Sequence, residues 1–350
     1  MSPTISINNR EIGKGKPAYI IAEMSANHLG ERRRALQIID AAKEAGADAV
    51  KIQTYTADTI TIDCDNEYFQ ITQGTIWDGT TLHKLYEEAY TPWDWQPELK
   101  EYAESRGLDC FSSPFDTTAV DFLEQMDVPA YKVASFEITD IPLVRYIAKQ
   151  GKPVILSTGI AHLQDIECAV KACHEEGNYQ VALLKCSSAY PAPYEDINLR
   201  TIPNLAETFN VVSGLSDHTM GYEVAIAGVA LGASIIEKHM TLCRSDGGAD
   251  SAFSMEPDEF KSMVDGIRHV EKALGRVTYD LTEKQAKSRE HCRSLFVVSP
   301  IAKGEKLTEG NVRSIRPGFG LPPSCYQQVL GTVARRDLLP GTPLSWDLFE

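Results

Sequence analysis

Residues 211–240 read VVSGLSDHTMGYEVAIAGVALGASIIEKHM, and this stretch holds one complete repeat of the fold. It opens with a β-rich run, VVSGLS (211–216), passes through a helix-length segment, Val224–Leu231, and ends in a second β-rich run, SIIEKHM (234–240). Short Val- and Ile-rich runs alternating with amphipathic segments are the pattern of parallel strands joined by helical crossovers. Toward the N-terminus the same alternation recurs, with strands at 18–23, 48–54, 108–113, 130–135, 153–158 and 181–187. Helical stretches at Ala35–Ala45, Ala119–Met126, Leu143–Lys149 and Ile166–Glu175 lie between them, and Glu259–Leu274 follows the last strand. Thr91 and Pro92 read as the N-cap and first position of a further helix reaching about Ser105.

Eight strands, each followed by a helix, predict an α/β fold of the (β/α)8 TIM barrel type, since eight is the count that closes. An open doubly wound sheet is the alternative, but no GxGxxG follows the first strand. The 350 residues exceed what a barrel of roughly 250 needs. The excess has its own character: a polar segment, LTEKQAKSREHCR, then short β segments broken by Gly and Pro turns. The pattern therefore predicts a barrel over 1–280, a linker over 281–291 and a small domain over 292–350. From Cys292 onward seven Lys/Arg against five Asp/Glu give +2, which leaves −17 on the rest. The longest insertion, 56–90, follows the second strand and carries Asp63, Asp65, Trp77 and Tyr86; loops in that position shape substrate pockets.

A hydrophobic content of 43% and a charged content of 24% are those of a soluble globular protein. The net charge of −15 argues against nucleic acid and acidic membranes as partners, because both repel a polyanion. An anionic substrate must then be met by locally placed cations. Eight cysteines without CxxC spacing suit a reduced, cytoplasmic protein. The first fifteen residues lack an apolar core and no run of 18 apolar residues occurs, so neither a signal peptide nor a membrane span is expected.

Polar groups interrupt the apolar strands in pairs spaced by two: Lys51 and Gln53, Ser216 and His218, Glu237 and His239. That spacing puts each pair on one face of its strand, and near the strand ends they converge on the mouth where barrel enzymes keep their active sites. Lys132 and Ser135, with Glu23, Ser113, Glu137, Ser157 and Lys185, occupy the same stage of their own units. An unpaired buried charge costs on the order of several kcal/mol, so eight units all carrying polar groups here point to a site rather than to packing. Lys51, Lys132 and Lys185 ringed by Ser113, Ser135, Ser157 and Ser216 make a cradle for phosphate plus carboxylate. His218 and His239 end consecutive strands and could bind a divalent cation such as Mn²⁺. Core histidines and general acid–base histidines are the alternatives for that pair. Glu23, Glu137 and Glu237 can orient water, accept a sugar hydroxyl or neutralise the lysines.

The motifs IAEMSANHLG (21–30), DAVKIQTY (48–55), FSSPFD (111–116), YKVASFEITD (131–140), STGIA (157–161), KCSSAYPAP (185–193), GLSDHT (214–219) and EKHMT (237–241) resemble the sialic acid synthase family. The likeness continues through DSAFSMEPDEF (250–260) and a tail, SLFVV to GTPLSWDL, similar to the family's antifreeze-protein-like (SAF) domain. IWDGTTLHKLYEEAYTPWDW (76–95) and RSDGGADSAFS (244–254) look most like the branch that forms pseudaminic acid. Members forming N-acetylneuraminate typically have a sugar-contacting asparagine where this chain has Ser188, which speaks against N-acetylmannosamine as the acceptor.

The resemblance implies a divalent metal, Mn²⁺ or Mg²⁺, on His218 and His239. It implies phosphoenolpyruvate contacts at Lys51, Gln53, Ser113, Lys132, Ser135, Ser157 and Ser216, and catalytic or acceptor-orienting carboxylates at Glu23 and Glu137. Tyr190, Asp250 and Arg316 match contacts to the amino-sugar aldehyde, Arg316 from a domain that in the family reaches over the other subunit of a homodimer. The implied reaction joins C3 of phosphoenolpyruvate to the aldehyde and releases phosphate by C–O cleavage. Two rivals of other kinds are a Schiff-base aldolase using Lys132 or Lys185, and a sugar-binding protein without catalysis.

Overall fold

The computed structural model describes residues 3–72 and 74–350; Met1, Ser2 and Gln73, within the expected barrel segment and its insertion, lie outside the described residues. Contacts divide the chain into two compact units, Met1–Gly275 and Arg276–Glu350.

The first unit begins with a hairpin of β1 (Thr4–Ile7) and β2 (Arg10–Gly13), for which the sequence pattern assigned nothing before residue 18. The signal is the alternation TISI and REIG around Asn8 and Asn9, both at positive φ, a conformation asparagine tolerates in tight hairpin turns. Ile5, Ile7 and Ile12 are buried, and Asn8 Nδ2 donates to Asp109 Oδ1 at 2.6 Å, so the hairpin covers the N-terminal end of the barrel.

The eight expected strands form, each within two residues of its predicted ends. They are β3 (Tyr19–Glu23), β4 (Ala49–Thr54), β5 (Asp109–Pro114), β6 (Tyr131–Val133), β7 (Val154–Ser157), β8 (Val181–Cys186), β9 (Val212–Asp217) and β10 (Ile235–His239). All pair in parallel with their neighbours in chain order, and β10 closes on β3. Closure rather than an open sheet is therefore the outcome. Inward residues of the lower half, among them Tyr19, Ile21, Phe111, Ile155, Leu184 and Ile235, are apolar and fully buried. Gly214 also points inward there: a Cβ would lie 2.4 Å from the Ile235 carbonyl oxygen, so nothing larger fits between β9 and β10.

Helices Arg32–Ala45, Thr117–Gln125, Ile141–Ala148, Leu163–Glu175, Glu223–Ala230 and Pro257–Leu274 cover the outside, as the periodicity predicts. Asp116 caps the second, accepting from the Ala119 amide at 3.1 Å, and Asp140 caps the third in the same way. The expected Thr91 cap is not made. Pro92 precedes a 3-10 turn, Trp93–Trp95, the helix proper is Gln96–Ser105, and the Thr91 hydroxyl instead meets His28 Nε2 at 3.1 Å. A further helix, Thr201–Phe209, has no side-chain cap, which leaves its start faint in sequence. Inside the insertion, Leu82–Ala89 is helical and capped by Thr81.

The second unit opens with an exposed helix, Glu283–Arg289, set by a Thr282–Gln285 capping box. Beyond it, β11 (Ser294–Val297) pairs antiparallel with β12 (Val312–Ile315), and isolated bridges such as Ile301 with Leu338 hold the rest. Leu295, Val297, Leu307, Val312, Leu338 and Leu344 form its own buried core. Among the described residues no helix is long and apolar enough to cross a membrane.

Candidate functional site at the barrel mouth

Above the apolar half of the barrel, the inward positions of seven strands become polar, and β8 contributes the buried thiol of Cys186, 3.9 Å from His218 Nδ1. Lys51 on β4 reaches Glu23 on β3, with Nζ 2.5 Å from Oε2, and donates to Ser113 on β5 at 3.1 Å. Lys132 on β6 donates to Ser157 on β7 at 2.6 Å and to the Val133 carbonyl at 2.9 Å. Glu237 on β10 lies between the two ammonium groups, 3.8 Å from Lys51 and 3.9 Å from Lys132, and accepts from Ser216 on β9 at 2.9 Å. Gln53 donates to Glu23 and to Ser25, both at 3.0 Å. Eight of the sequence-predicted residues, drawn from seven strands, thus form one bonded network, and most are under 6% exposed. A surface groove of about 620 Å³ by Glu195, Arg200 and Leu231 holds none of them; converging charge, not volume, marks the mouth.

This packing sets the charges. Burial pushes the Glu237 carboxyl up, but Lys132, Lys51 and the Ser216 hydroxyl outweigh it and hold Glu237 below the usual carboxylate range. Burial pushes Glu23 up to about 7, with Lys51 opposing and the nearby Glu237 charge assisting. Lys132 is lowered by burial, while Lys51 is raised because its two carboxylates overcome the same burial. Within the network two carboxyl groups face two lysines, and Glu237 is the one held firmly ionised.

His218 and His239 lie side by side, ring centroids 5.3 Å apart, both under 10% exposed. His218 Nδ1 donates to the Ser187 carbonyl at 2.8 Å. Burial pushes its pKa down, but the Cys186 thiol and that carbonyl outweigh burial and raise it, so a metal at Nε2 would displace a proton. His239 is kept neutral: burial, then the His218 and Lys51 charges, drive its pKa far down, and its buried Nδ1 has no hydrogen-bond partner. Two adjacent imidazoles, His239 held neutral with an unpartnered buried nitrogen and His218 giving up its proton on binding, fit a divalent cation with positions left for water and substrate. No cluster of three or more His, Cys, Asp or Glu able to hold a metal occurs among the described residues, so the protein's share would be these two. His28 is different: Nε2 meets Thr91, Nδ1 accepts from the Gly30 amide at 3.0 Å, and burial lowers its pKa to about 4. It is a structural histidine.

Tyr190 stacks on His218 with centroids 4.4 Å apart, and Phe253 packs on Tyr190, His218 and His239. Trp77 of the insertion packs on Tyr190 at 5.6 Å, and its indole N–H donates to the Ala249 carbonyl at 2.8 Å. The insertion therefore forms a wall of the mouth, though its Tyr68 is 80% exposed. Asp250 accepts from the Ser25 hydroxyl and from the Ala26 amide. Ser135 accepts from the Gly159 amide at 3.1 Å. Glu137, following β6, keeps a buried Oε2 without a partner, and burial lifts its pKa to about 7. Lys185, expected in the anion cradle, does not join it: its register partner is the outward Leu215, so Cys186 takes the inward position of β8 and the Lys185 ammonium donates to the Cys186 carbonyl at 2.8 Å. Arg316 belongs to the C-terminal unit, exposed just after β12 and joined to Pro317 by a cis bond.

Ser25, Ser187 and Phe253 were not expected. Ser25 and Ser187 act through a turn at positive φ and a main-chain carbonyl, neither of which has a sequence signature. Phe253 lies in DSAFS, a segment singled out only for its likeness to a family.

Residues 38–279 match the NeuB family model and residues 293–350 the SAF domain model. A pseudaminic acid synthase of Campylobacter jejuni is 48% identical over 335 residues, covering 96% of this chain and 97% of its own. One from Helicobacter pylori is 45% identical, covering 96% and 98%. The crystal structure of an N-acetylneuraminic acid synthetase from Leptospira borgpetersenii in complex with citrate matches with a TM-score of 0.72 at 33% identity, over 82% of this chain and 95% of that one. A closed barrel whose mouth gathers two buried lysines and a histidine pair, followed by an SAF domain, thus has its place among known proteins: the chain belongs to the NeuB family.

Proposed function

We propose that the protein is a pseudaminic acid synthase. It condenses phosphoenolpyruvate with 2,4-diacetamido-2,4,6-trideoxy-L-altrose and water, giving pseudaminic acid and phosphate. The observation that carries this is the pair of buried lysines sharing Glu237 at the mouth. They are cations held ready where an enol phosphate can replace a carboxylate. The full-length similarity to pseudaminic acid synthases supports the choice of acceptor.

Lys51 and Lys132 bind the phosphate and carboxylate of phosphoenolpyruvate, and the hydroxyls of Ser113, Ser157 and Ser216 orient it. A divalent cation, Mn²⁺ or Mg²⁺, held by His218 and His239 would supply Lewis-acid polarisation of the sugar aldehyde. Tyr190, Phe253 and Trp77 wall the acceptor side and exclude water from it. C3 of the enol attacks the aldehyde carbon, forming the C–C bond; the carbonyl π pair moves to its oxygen, which takes a proton to become a hydroxyl, and C2 is left with oxocarbenium character. Water adds at C2, losing a proton, and the hemiketal phosphate so formed collapses. The C2–O bond to phosphate breaks with its electron pair leaving on phosphate, the hydroxyl proton goes to the departing phosphate, and C2 becomes a ketone. Glu137, with a free Oε2 and a pKa near neutrality, takes the proton that water loses. Preorganised cations around the phosphate and fixed geometry at the mouth lower the barrier.

Phosphate release is to be followed with three acceptors: N-acetylmannosamine, the 6-deoxy diacetamido-mannose isomer and the altrose isomer. Phosphoenolpyruvate carrying ¹⁸O in its bridging position is used. Rapid release with the altrose isomer alone, with the label in phosphate, is expected. Faster release with another acceptor overturns the substrate assignment, and label retained in the sugar acid overturns C–O cleavage.

A further inference from the structure

The outward residues of the barrel strands face the helix layer and are largely apolar, Ile20, Val50, Ile52, Leu215 and Ile236 among them. Asp217 on β9 and Lys238 on β10 depart from this. They are register partners on adjacent strands, each 1% exposed, and Lys238 Nζ lies 2.6 Å from Asp217 Oδ2. The same ammonium donates to the Thr219 carbonyl at 2.6 Å. Asp217 Oδ1 accepts from both the Thr219 amide at 2.9 Å and its hydroxyl at 2.8 Å.

A barrel does not need such a pair. A buried ion pair contributes little over two apolar residues of the same volume, because desolvation offsets the attraction. Its placement supplies the reason for it. Asp217 precedes His218 in the chain and Lys238 precedes His239. One ammonium grips the exit of β9 at residues 217 and 219, so the main chain of His218 is fixed on both sides. The His218 ring is held from the other direction by the Ser187 carbonyl. His239 is anchored at its own carbonyl by the Met255 amide, at 2.9 Å.

We infer that Asp217 and Lys238 are positioning residues that hold His218 and His239 in the relation needed to share one divalent cation. The inference rests on the metal role assigned to the histidine pair under the proposed function. It adds a function for two residues that touch neither substrate nor metal.

The test uses Asp217→Asn/Lys238→Met, which leaves no unpaired buried charge. Mn²⁺ binding to metal-free protein is read from the electron paramagnetic resonance signal of the free ion. Thermal melting, kcat and the KM for phosphoenolpyruvate are measured in parallel. The double variant is expected to melt as a folded protein and to bind Mn²⁺ about 10–100-fold more weakly, the usual effect of losing an outer-shell partner. At subsaturating Mn²⁺ kcat falls with it, while the KM for phosphoenolpyruvate stays unchanged, since Lys51 and Lys132 are untouched. A folded double variant that binds Mn²⁺ as the unaltered protein does overturns the inference. If it does not fold, Asp217→Asn alone, which keeps acceptors for Thr219 and Lys238, is read the same way with a smaller expected loss. His239→Ala separates the two levels: if it binds Mn²⁺ as well as the unaltered protein, the metal assignment itself fails.

Discussion

Glu137→Gln should make the protein more stable at alkaline pH and inactive at the same time. Glu137 carries a buried Oε2 without a partner, and its pKa stands at about 7 against an ordinary 4.5. Burial is the dominant cause; the nearby Asp140 charge adds to it, while its own backbone amide and Lys132 oppose it. Below pH 4.5 folded and unfolded chains both hold the proton, and the carboxyl costs the fold nothing in charge. Between 4.5 and 7 the unfolded chain releases the proton first, so stability falls as pH rises. Over that window the loss reaches about 3 kcal/mol, at ~1.4 kcal/mol per pH unit, and is complete above it. Partial exposure of Glu137 makes this an upper figure. Gln cannot ionise and keeps the shape. Urea unfolding of both proteins at pH 4.5 and pH 8.5 measures the difference. Glu137→Gln is expected to match the parent at the acid end, to gain up to about 3 kcal/mol at the alkaline end, and to lose turnover. An equal stability difference at both pH values refutes the buried-carboxyl argument, and full turnover refutes the proton-taking role.

Three further outcomes are expected. His239→Ala abolishes turnover, and a chelator silences the unaltered protein until Mn²⁺ is returned; near-normal activity without added metal rules this out. Lys132→Met raises the KM for phosphoenolpyruvate about 10–100-fold, the equivalent of ~1.5–3 kcal/mol for a hydrogen bond to a charged group, and an unchanged KM in steady-state assays removes Lys132 from the anion site. Arg316→Ala tests the acceptor contact that the family resemblance implies: the KM for the sugar is expected to rise about tenfold with that for phosphoenolpyruvate unchanged, and equal effects on both substrates contradict that role.

Much of the site was legible because strands have a period of two. Once Lys51 and Gln53, or Glu237 and His239, sit two apart near a strand end, their common face follows, and barrel closure brings the faces together. The faint parts have physical reasons as well. Thr91 carries the ordinary signs of a helix cap, yet its hydroxyl goes to buried His28, because a buried imidazole nitrogen needs a partner more than an exposed helix end does. Asp217 and Lys238 look like surface residues on the polar ends of strands, and only the helix layer over them makes them a buried pair.

The sequence by itself determined the barrel, most of the residues facing its mouth and the distinct C-terminal domain, since periodicity and turn chemistry are local properties of the chain. Tertiary structure alone decided which charge answers which. Glu237 divides itself between Lys51 and Lys132, and Glu23 is left near neutrality, through distances between strands far apart in the chain. Electrostatic energy depends on separation and burial, and neither exists until the ring of strands has closed.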